Sequence, residues 1–362
     1  MAETIIIGMS GGVDSAVAAA MMVEEGYTVE AVFMKNWNES DTEFCTATED
    51  YHDALQVCEI LGIPLRSVDF SDEYWNKVFQ LFLKECQIGR TPNPDILCNK
   101  EIKFRVFLDH ALDLGALRIA TGHYAYINQT NGLYQLCRSA NTEKDQSYFL
   151  YALNQDQLSK SIFPIGNCKK SKVRQKAREL GFHNHDKKDS TGICFIGERN
   201  YRQFLKRFLP TQPGQIMTDE GEIIGEHDGL MYYTYGQRQG LGIGGGFGEK
   251  DAPWYVTDKD LDLNTLIVGQ GHDHPELYHL LLTASQVHWI SGLHPSKEGL
   301  TAKIRYRAEE VSCRLIENKE DSLTVMFDEP QFAITPGQSI VFYDQEVCLG
   351  GAVIETRTHS LK

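Results

Sequence analysis

The first residues of the chain place an apolar run, a glycine turn and an alanine-rich segment in direct succession. Residues 4–8 read Thr-Ile-Ile-Ile-Gly, residues 10–15 read Ser-Gly-Gly-Val-Asp-Ser, and the alanine-rich segment 16–25 is followed by Gly26. This order predicts a buried strand, a tight turn and a helix that ends at a glycine. Such a junction directs backbone N–H groups and the positive end of a helix at one point, so it predicts a phosphate site.

The strand–helix alternation continues over residues 1 to about 200. It predicts an α/β domain with a parallel, doubly wound sheet that binds ligands at the carboxyl ends of its strands. The Asn131-Gly132 pair between two short apolar runs predicts a hairpin inserted into this part. Beyond the first junction, the predicted strands are 29–34, 65–70 and 117–121, and the predicted helices are 50–61, 73–86, 99–114 and 172–180.

The pattern changes near Pro210 to short alternating strands rich in glycine and proline. We therefore predict a first domain at 1–210, a central β-rich domain at 211–275 and a C-terminal β-barrel at 276–362. A Gly-x-Gly-x-x-Gly match at 240–245 follows no buried strand and precedes no predicted helix. A loop of the β domain is therefore favoured there over a dinucleotide site.

Charge and cysteine content narrow the function. The 362 residues carry a net charge of −15, which argues against a protein that coats nucleic acid indiscriminately. No apolar run is long enough for a membrane span, and the first strand leaves no room for a targeting signal, so a cytoplasmic protein is expected. The nine cysteines form no Cys-x-x-Cys pair, which favours free thiols over a zinc site or a disulfide scaffold.

Two basic segments could form a local phosphate-binding face. Residues 169–178 contain six cations and no acid, and a solvated helix surface is as good an explanation as phosphate contact. Lys303, Arg305 and Arg307 alternate along a predicted strand and would share one face. Tyr306 would then point the other way, into the barrel core.

Residues 91–99 read TPNPDILCN, in which two prolines stiffen an extended approach to a helix that opens in the Asp95/Asn99 region. Cys98 would lie near the helix N-terminus, where the dipole lowers the pKa of a thiol, and reactivity is favoured over burial. Asp95 is equally well explained as a helix cap or as an acid/base group. The polar segment 187–197 places Cys194 between glycines and beside lysines, so two accessible thiols are expected, as in sulfur or redox chemistry.

These motifs resemble a known family. Ser-Gly-Gly-Val-Asp-Ser resembles the PP-loop of ATP pyrophosphatases, which cut ATP between the α and β phosphates, and the Walker A pattern is absent. Over essentially its full length, the chain resembles the bacterial tRNA-specific 2-thiouridylases. The resemblance rests on GMSGGVDS at 8–15, MKNW at 34–37, TPNPDILCN at 91–99, ATGHYA at 120–125, KDQSYFL at 144–150, DSTGICFIGER at 189–199, TYGQRQGLGIGG at 234–245 and RYR at 305–307.

The resemblance implies an enzyme that adenylates the C2 oxygen of the wobble uridine in tRNA with ATP and Mg²⁺, and then replaces that oxygen with sulfur. Cys194 would carry the sulfur as a persulfide received from a relay protein, and Cys98 would be the nucleophile that closes a transient disulfide with Cys194. Asp95 would be the acid/base group. The implied ATP contacts are Gly8, Met9, Ser10, Gly11, Gly12, Val13, Asp14, Ser15, Met34 and Gly122. The implied tRNA contacts are Asn93, Pro94, Asp95, His123, Lys144, Asp145, Gln146, Arg305, Tyr306 and Gln338.

The resemblance implies no protein side chain as a ligand of the metal. A Cys98–Cys194 bond requires Cα atoms about 4.4–6.8 Å apart, so we expect the loop at 187–197 to rearrange when tRNA binds. Two other hypotheses remain: a PP-loop ligase or amidotransferase acting on a small metabolite, and a module that binds ATP or RNA without catalysis. The ligase would not need the two cysteines, and the module would release no pyrophosphate.

Overall fold

The computed structural model describes residues 2–37, 47–189, 201–243, 252–296 and 299–360. The strands are β1 (Thr4–Met9), β2 (Thr28–Lys35), β3 (Leu65–Asp69), β4 (Arg118–Ala120), β5 (Ala125–Thr130), β6 (Leu133–Arg138), β7 (Ser161–Ile162), β8 (Gly214–Thr218), β9 (Ile223–His227), β10 (Trp254–Asp260), β11 (Thr265–Gln270), β12 (Tyr278–Trp289), β13 (Leu300–Lys303), β14 (Val311–Asn318), β15 (Ser322–Phe332), β16 (Ser339–Asp344) and β17 (Val347–Thr358).

Helices connect the strands of the first half and are sparse in the second. The α-helices are α1 (Val13–Glu24), α2 (Ala47–Leu61), α3 (Ser71–Tyr74), α4 (Gln80–Gln87), α5 (Pro94–Leu97), α6 (Phe107–Asp113), α7 (Ser147–Leu150), α8 (Gln155–Ser159), α9 (Lys170–Glu179) and α10 (Tyr201–Lys206). Two π-helical stretches, Trp75–Phe79 and Cys98–Val106, join α3 to α4 and α5 to α6. Across the part of the chain that the structure describes, no helix combines the length and the apolarity that a membrane span requires.

The first domain contains the predicted parallel sheet, with strand order β3-β2-β1-β4-β7. Strands β1 and β2 are almost continuously apolar because helices cover both faces of the sheet, and Ile5, Ile6 and Ile7 are all buried. Chain order reverses between β1 and β4, and this switch point is where doubly wound sheets bind ligands. The fold therefore places the turn after β1 and the turn after β4 beside each other.

The second half is all-β, as predicted. One sheet has the order β10-β11-β8-β9. The other runs β12-β15-β14-β13-β16-β17, and because β12 also pairs with β17, these six strands close into a barrel. The hairpin β5–β6 turns at Asn131 and Gly132, both with positive φ, as predicted. It adds to the barrel sheet through the β6–β17 pairing, so its strands belong to that sheet and not to the parallel one.

Several helix predictions need correction at their ends. The helix predicted at 73–86 begins at Ser71, ends at Gln87 and is π-helical over Trp75–Phe79. The helix predicted at 99–114 already begins at Pro94, because Asn93 caps it: the Asn93 side chain accepts a hydrogen bond from the backbone N–H of Asp95. The cap interpretation of Asp95 was therefore wrong.

Candidate functional site

The turn after β1 is held in shape by its own side chains. The Ser15 hydroxyl donates to the carbonyl of Gly12 at 3.0 Å and accepts from the N–H of Ser10 at 3.2 Å. Gly12 is the N-cap of α1, and no side chain caps that helix end. Gly11 has φ +74°, and a Cβ there would overlap the carbonyl oxygen of Asp50 in α2. The result is a compact loop at a helix N-terminus, the arrangement that binds phosphates.

The ends of the two neighbouring strands meet this loop. A Cβ on Gly122, just after β4, would lie 2.7 Å from the Ser15 nitrogen and 2.8 Å from the Asp14 carbonyl carbon. A Cβ on Gly8 would lie 3.3 Å from the terminal methyl of Met34, near the end of β2. The structure thus brings Met34, the loop of residues 8–15 and Gly122 together at the carboxyl ends of neighbouring strands, where a doubly wound sheet binds its ligand.

A network of charges lies beside the loop. The Lys170 ammonium donates to both carboxylate oxygens of Asp14 at 2.8 Å and forms an ion pair with Asp189 at 2.6 Å. Asp189 also accepts from Lys144 at 2.6 Å. Burial raises the pKa of Asp189, but the hydrogen bonds from Lys144 and Lys170 outweigh it and lower the pKa to about 2. The Tyr124 hydroxyl donates to Asp14 at 2.7 Å.

This network resolves part of the question left open for residues 169–178. Lys170, Arg174, Lys176 and Arg178 all form ion pairs with acidic residues of the first domain. Lys170 and Arg174 are thus enclosed by their own domain, whereas Arg178 is 55% exposed in its ion pair, as on a solvated helix surface. The sequence did not identify Lys170 as a neighbour of Asp14, since 156 residues separate them.

Cys98 contradicts the expectation of an accessible thiol. It is fully buried, among side chains that include Phe82, Ile102 and Phe204. It does follow the first turn of the helix that begins at Pro94, as predicted. Cys194 lies outside the described residues, so the pairing of the two cysteines and the rearrangement of 187–197 stay predictions. Among the other described cysteines, Cys58, Cys86, Cys137, Cys313 and Cys348 are buried, whereas Cys168 is half-buried.

The barrel reaches the TPNPDILCN segment. The Gln338 amide donates to the carbonyl of Thr91 at 2.6 Å, and the N–H of Thr91 donates to the carbonyl of Pro336 at 3.0 Å. Gln338 therefore lies beside the residues expected to meet the target base, Asn93 to Asp95.

The remaining predicted tRNA contacts of the first domain are largely internal. His123 is buried, its Nδ1 lies 2.8 Å from the Thr121 hydroxyl, and burial holds its pKa well below the ordinary value. The Asp145 carboxylate accepts from the backbone N–H groups of Ser139 and Ser147. The Gln146 side chain accepts from the N–H of Tyr124 at 2.9 Å.

The basic strand predicted at 303–307 is wrong. Strand β13 ends at Lys303, and residues 304–307 form bends and turns, so Lys303, Arg305 and Arg307 share no strand face. Tyr306 is not a barrel core residue: it packs on Phe149 of α7, with ring centroids 4.3 Å apart.

Two other features of the sequence are settled in part. Gly240 and Gly242 have positive φ. They follow a 3₁₀ helix, Leu230–Tyr232, and not a strand, while residues 244–245 lie outside the described residues.

Among the described residues, Glu276, His279 and His359 could hold a metal ion, since their ligand atoms lie within 4.8 Å of one another. They belong to the barrel end of the chain and not to the nucleotide loop.

Three family models match successive parts of the chain. Their descriptions are a tRNA methyl transferase HUP domain at residues 3–198, a tRNA methyl transferase PRC-barrel domain at 202–270 and an aminomethyltransferase beta-barrel domain at 280–354. Among solved structures, the chain is similar to a 4-thiouridine synthetase in complex with RNA and bound ATP. The two chains are 22% identical with a TM-score of 0.37, and the match covers 57% of this chain and 49% of that one. A structural similarity this low carries no inference.

Full-length relatives are far more similar. The chain is 58% identical to the tRNA-specific 2-thiouridylase MnmA of Hydrogenovibrio crunogenus, over 99% of this chain and 95% of the relative. It is 55% identical to the protein of the same name from Methylococcus capsulatus, over 98% and 97%. Two of the family models carry the description tRNA methyl transferase, whereas these relatives are named tRNA-specific 2-thiouridylases. We follow the relatives' name, because their matches span nearly the whole of both chains at 55–58% identity. These matches show that the chain belongs to the tRNA-specific 2-thiouridylase family.

Proposed function

We propose that the protein is an ATP-dependent tRNA 2-thiouridylase that acts in the cytoplasm on the wobble uridine. The observation that carries the proposal is the intact loop at residues 8–15, with Gly122 packed on it, in a chain 58% identical along its length to a named tRNA-specific 2-thiouridylase. The roles assigned below to the two cysteines and to Asp95 come from the resemblance to that family.

The first step is adenylation. The C2 oxygen of uridine attacks the α-phosphorus of ATP, the bond to the β-phosphate oxygen breaks, and pyrophosphate leaves. The backbone N–H groups of the loop and the N-terminus of α1 stabilise the phosphate charge. Gly122 and Met34 border the same edge and are assigned to the adenosine part. Magnesium would enter with ATP and neutralise phosphate charge, and we assign it no protein ligand.

The second step is sulfur transfer. A relay protein would load Cys194 as a persulfide, whose outer sulfur attacks C2 of the adenylated uridine. The C2–O bond breaks and AMP leaves, and Asp95 accepts the proton that the persulfide S–H releases. The Cys98 thiolate then attacks Cys194, the bond to the transferred sulfur breaks, and a Cys98–Cys194 disulfide forms. The two cysteines lose the two electrons that the transferred sulfur gains, and a cellular thiol reductant restores them.

The burial of Cys98 adds a requirement to this scheme. A thiol with no exposed surface cannot meet a base or a second cysteine, so binding of tRNA must open the packing over Cys98. The base must also leave its stack, which costs a few kcal/mol and less in an unpaired anticodon loop. The contacts of Gln338 with Thr91 and of Tyr306 with Phe149 support the assignment of these two residues to tRNA binding.

The test uses purified full-length protein with ATP, magnesium, unmodified tRNA and a persulfide donor. Nucleosides are analysed by mass spectrometry, and pyrophosphate release is measured in parallel. We expect wild type to make 2-thiouridine, and Cys194→Ser and Cys98→Ser to release pyrophosphate without thiolation. The half-buried Cys168 provides the matched control, and Cys168→Ser should keep full activity.

The alternatives predict different outcomes. A small-metabolite ligase would release pyrophosphate without tRNA and would tolerate both serine variants. A module that only binds would release none. Either result would overturn the proposal.

A further inference from the structure

Lys170 joins two acidic residues that lie far apart in the sequence. It is the first residue of α9, and its ammonium contacts both oxygens of Asp14 at 2.8 Å and one oxygen of Asp189 at 2.6 Å. Its side chain is only 14% exposed, compared with 29% for Asp14 and 28% for Asp189. An ammonium enclosed by two carboxylates in this way is held in one place.

Asp14 creates an electrostatic problem for the loop. It lies in the first turn of α1, inside the segment that would bind phosphates, and an uncompensated carboxylate there repels a triphosphate. Tyr124 donates a hydrogen bond to Asp14 but brings no positive charge, and burial raises the pKa of the Tyr124 hydroxyl. Lys170 supplies the positive charge that Asp14 needs.

We propose that Lys170 is a positioning residue for ATP: it neutralises and fixes Asp14 so that the loop accepts the phosphates, and Asp189 anchors Lys170. This inference rests on the proposed function for the identity of the ligand. Asp189 is also bound by Lys144, a predicted tRNA contact, and precedes Cys194 by five residues in the sequence. The same ion-pair network thus adjoins the ATP loop and the segment assigned to sulfur transfer.

The experiment measures ATP affinity by calorimetry, in the presence of magnesium, on the full-length protein, with thermal unfolding recorded for every variant. Lys170→Met should weaken ATP binding by about tenfold or more, because it leaves Asp14 without its cation. Lys170→Arg keeps the charge and should restore most of the affinity. Lys172 provides the matched control: it lies on the same helix, and its ammonium donates to the neutral side chain of Gln175 at 3.3 Å, so Lys172→Met should bind ATP as wild type does.

A double-mutant cycle separates action through Asp14 from direct contact with ATP. If Lys170 acts through Asp14, Lys170→Met should weaken ATP binding much less in the Asp14→Asn variant than in wild type. The Asp14→Asn/Lys170→Met protein should then bind ATP more tightly than Lys170→Met alone. Failure of the second substitution to compensate would overturn the inference. So would a Lys170→Met protein that unfolds at a lower temperature but binds ATP normally, because that result describes a purely structural ion pair.

The two proposals can fail separately. A wild-type protein that makes no 2-thiouridine, while Lys170→Met still weakens ATP binding, would overturn the proposed function and leave this inference standing. If Lys170→Met does not fold, Lys170→Arg and the double variant decide. Lys170→Arg must then bind ATP nearly as tightly as wild type, and the double variant must bind ATP nearly as tightly as Asp14→Asn.

Discussion

The close approach of Gly122 to the nucleotide loop gives a sharp prediction. Gly122 does not have positive φ, so an alanine there is strained only by its added methyl group. That Cβ would lie 2.7 Å from the Ser15 nitrogen, and the two must separate by about 0.7 Å to reach the 3.4 Å of ordinary contact. The three nearest atoms all belong to the backbone of Asp14 and Ser15, so no side chain can rotate away to relieve the overlap.

Overpacking of this kind costs about 1–3 kcal/mol. The strain is relieved by displacing the start of α1, and ATP binding must then reverse the displacement. Because each 1.4 kcal/mol changes an affinity about tenfold, Gly122→Ala should weaken ATP binding between about fivefold and about 150-fold. Pyrophosphate release at low ATP should fall by the same factor, while saturating ATP should recover most of the rate.

Gly225 in β9 is the matched control, because the nearest atom to its added Cβ is 3.6 Å away and its φ is not positive. Gly225→Ala should bind ATP as wild type does. Calorimetry measures the affinities, and thermal unfolding shows whether the strain appears as lost stability. A Gly122→Ala protein with wild-type ATP affinity and wild-type unfolding temperature would refute the reasoning.

Two further predictions concern stability. Arg90 forms an ion pair with Glu355 of the barrel through both terminal nitrogens, at 2.5 and 3.1 Å, so Arg90→Met should lower the free energy of unfolding by about 2 kcal/mol in urea titrations, and no loss would contradict this. The pKa of Asp189 is lowered to about 2, below the roughly 3.9 of an unfolded chain, so it stabilises the fold above about pH 4 and the contribution is lost as pH falls towards 2. Urea titrations should show Asp189→Asn less stable than wild type by on the order of 2 kcal/mol at pH 6, with the difference shrinking below pH 4, and a difference independent of pH would exclude this origin.

Features set by neighbouring residues were predictable from the sequence. The strand, turn and helix at residues 4–25 follow from apolar runs and glycines, and β5–β6 follows from Asn131-Gly132. The parallel sheet and the β-rich second half follow from the same kind of pattern. The type of each element is predictable because apolar periodicity and turn residues act over a few neighbouring positions of the chain.

Features set by distant residues were not predictable. The polar, proline-rich surroundings of Cys98 indicated exposure, but it is buried in an apolar cluster that includes Phe82 of α4 and Phe204 of α10. Alternating cations predicted a strand through Arg305, whereas the chain turns there and Tyr306 packs on Phe149. In both cases tertiary packing overrides the local pattern.

The sequence by itself determined the strand, turn and helix at residues 4–25, the β-rich second half and the family, because these reside in contiguous motifs. Only the tertiary structure decided which distant residues contact these motifs. Lys170 contacts Asp14, and Gln338 donates to Thr91, because the sheet order and the closed barrel bring distant segments within contact distance. The energies of such contacts depend on separations of a few ångströms in space, which spacing along the chain does not encode.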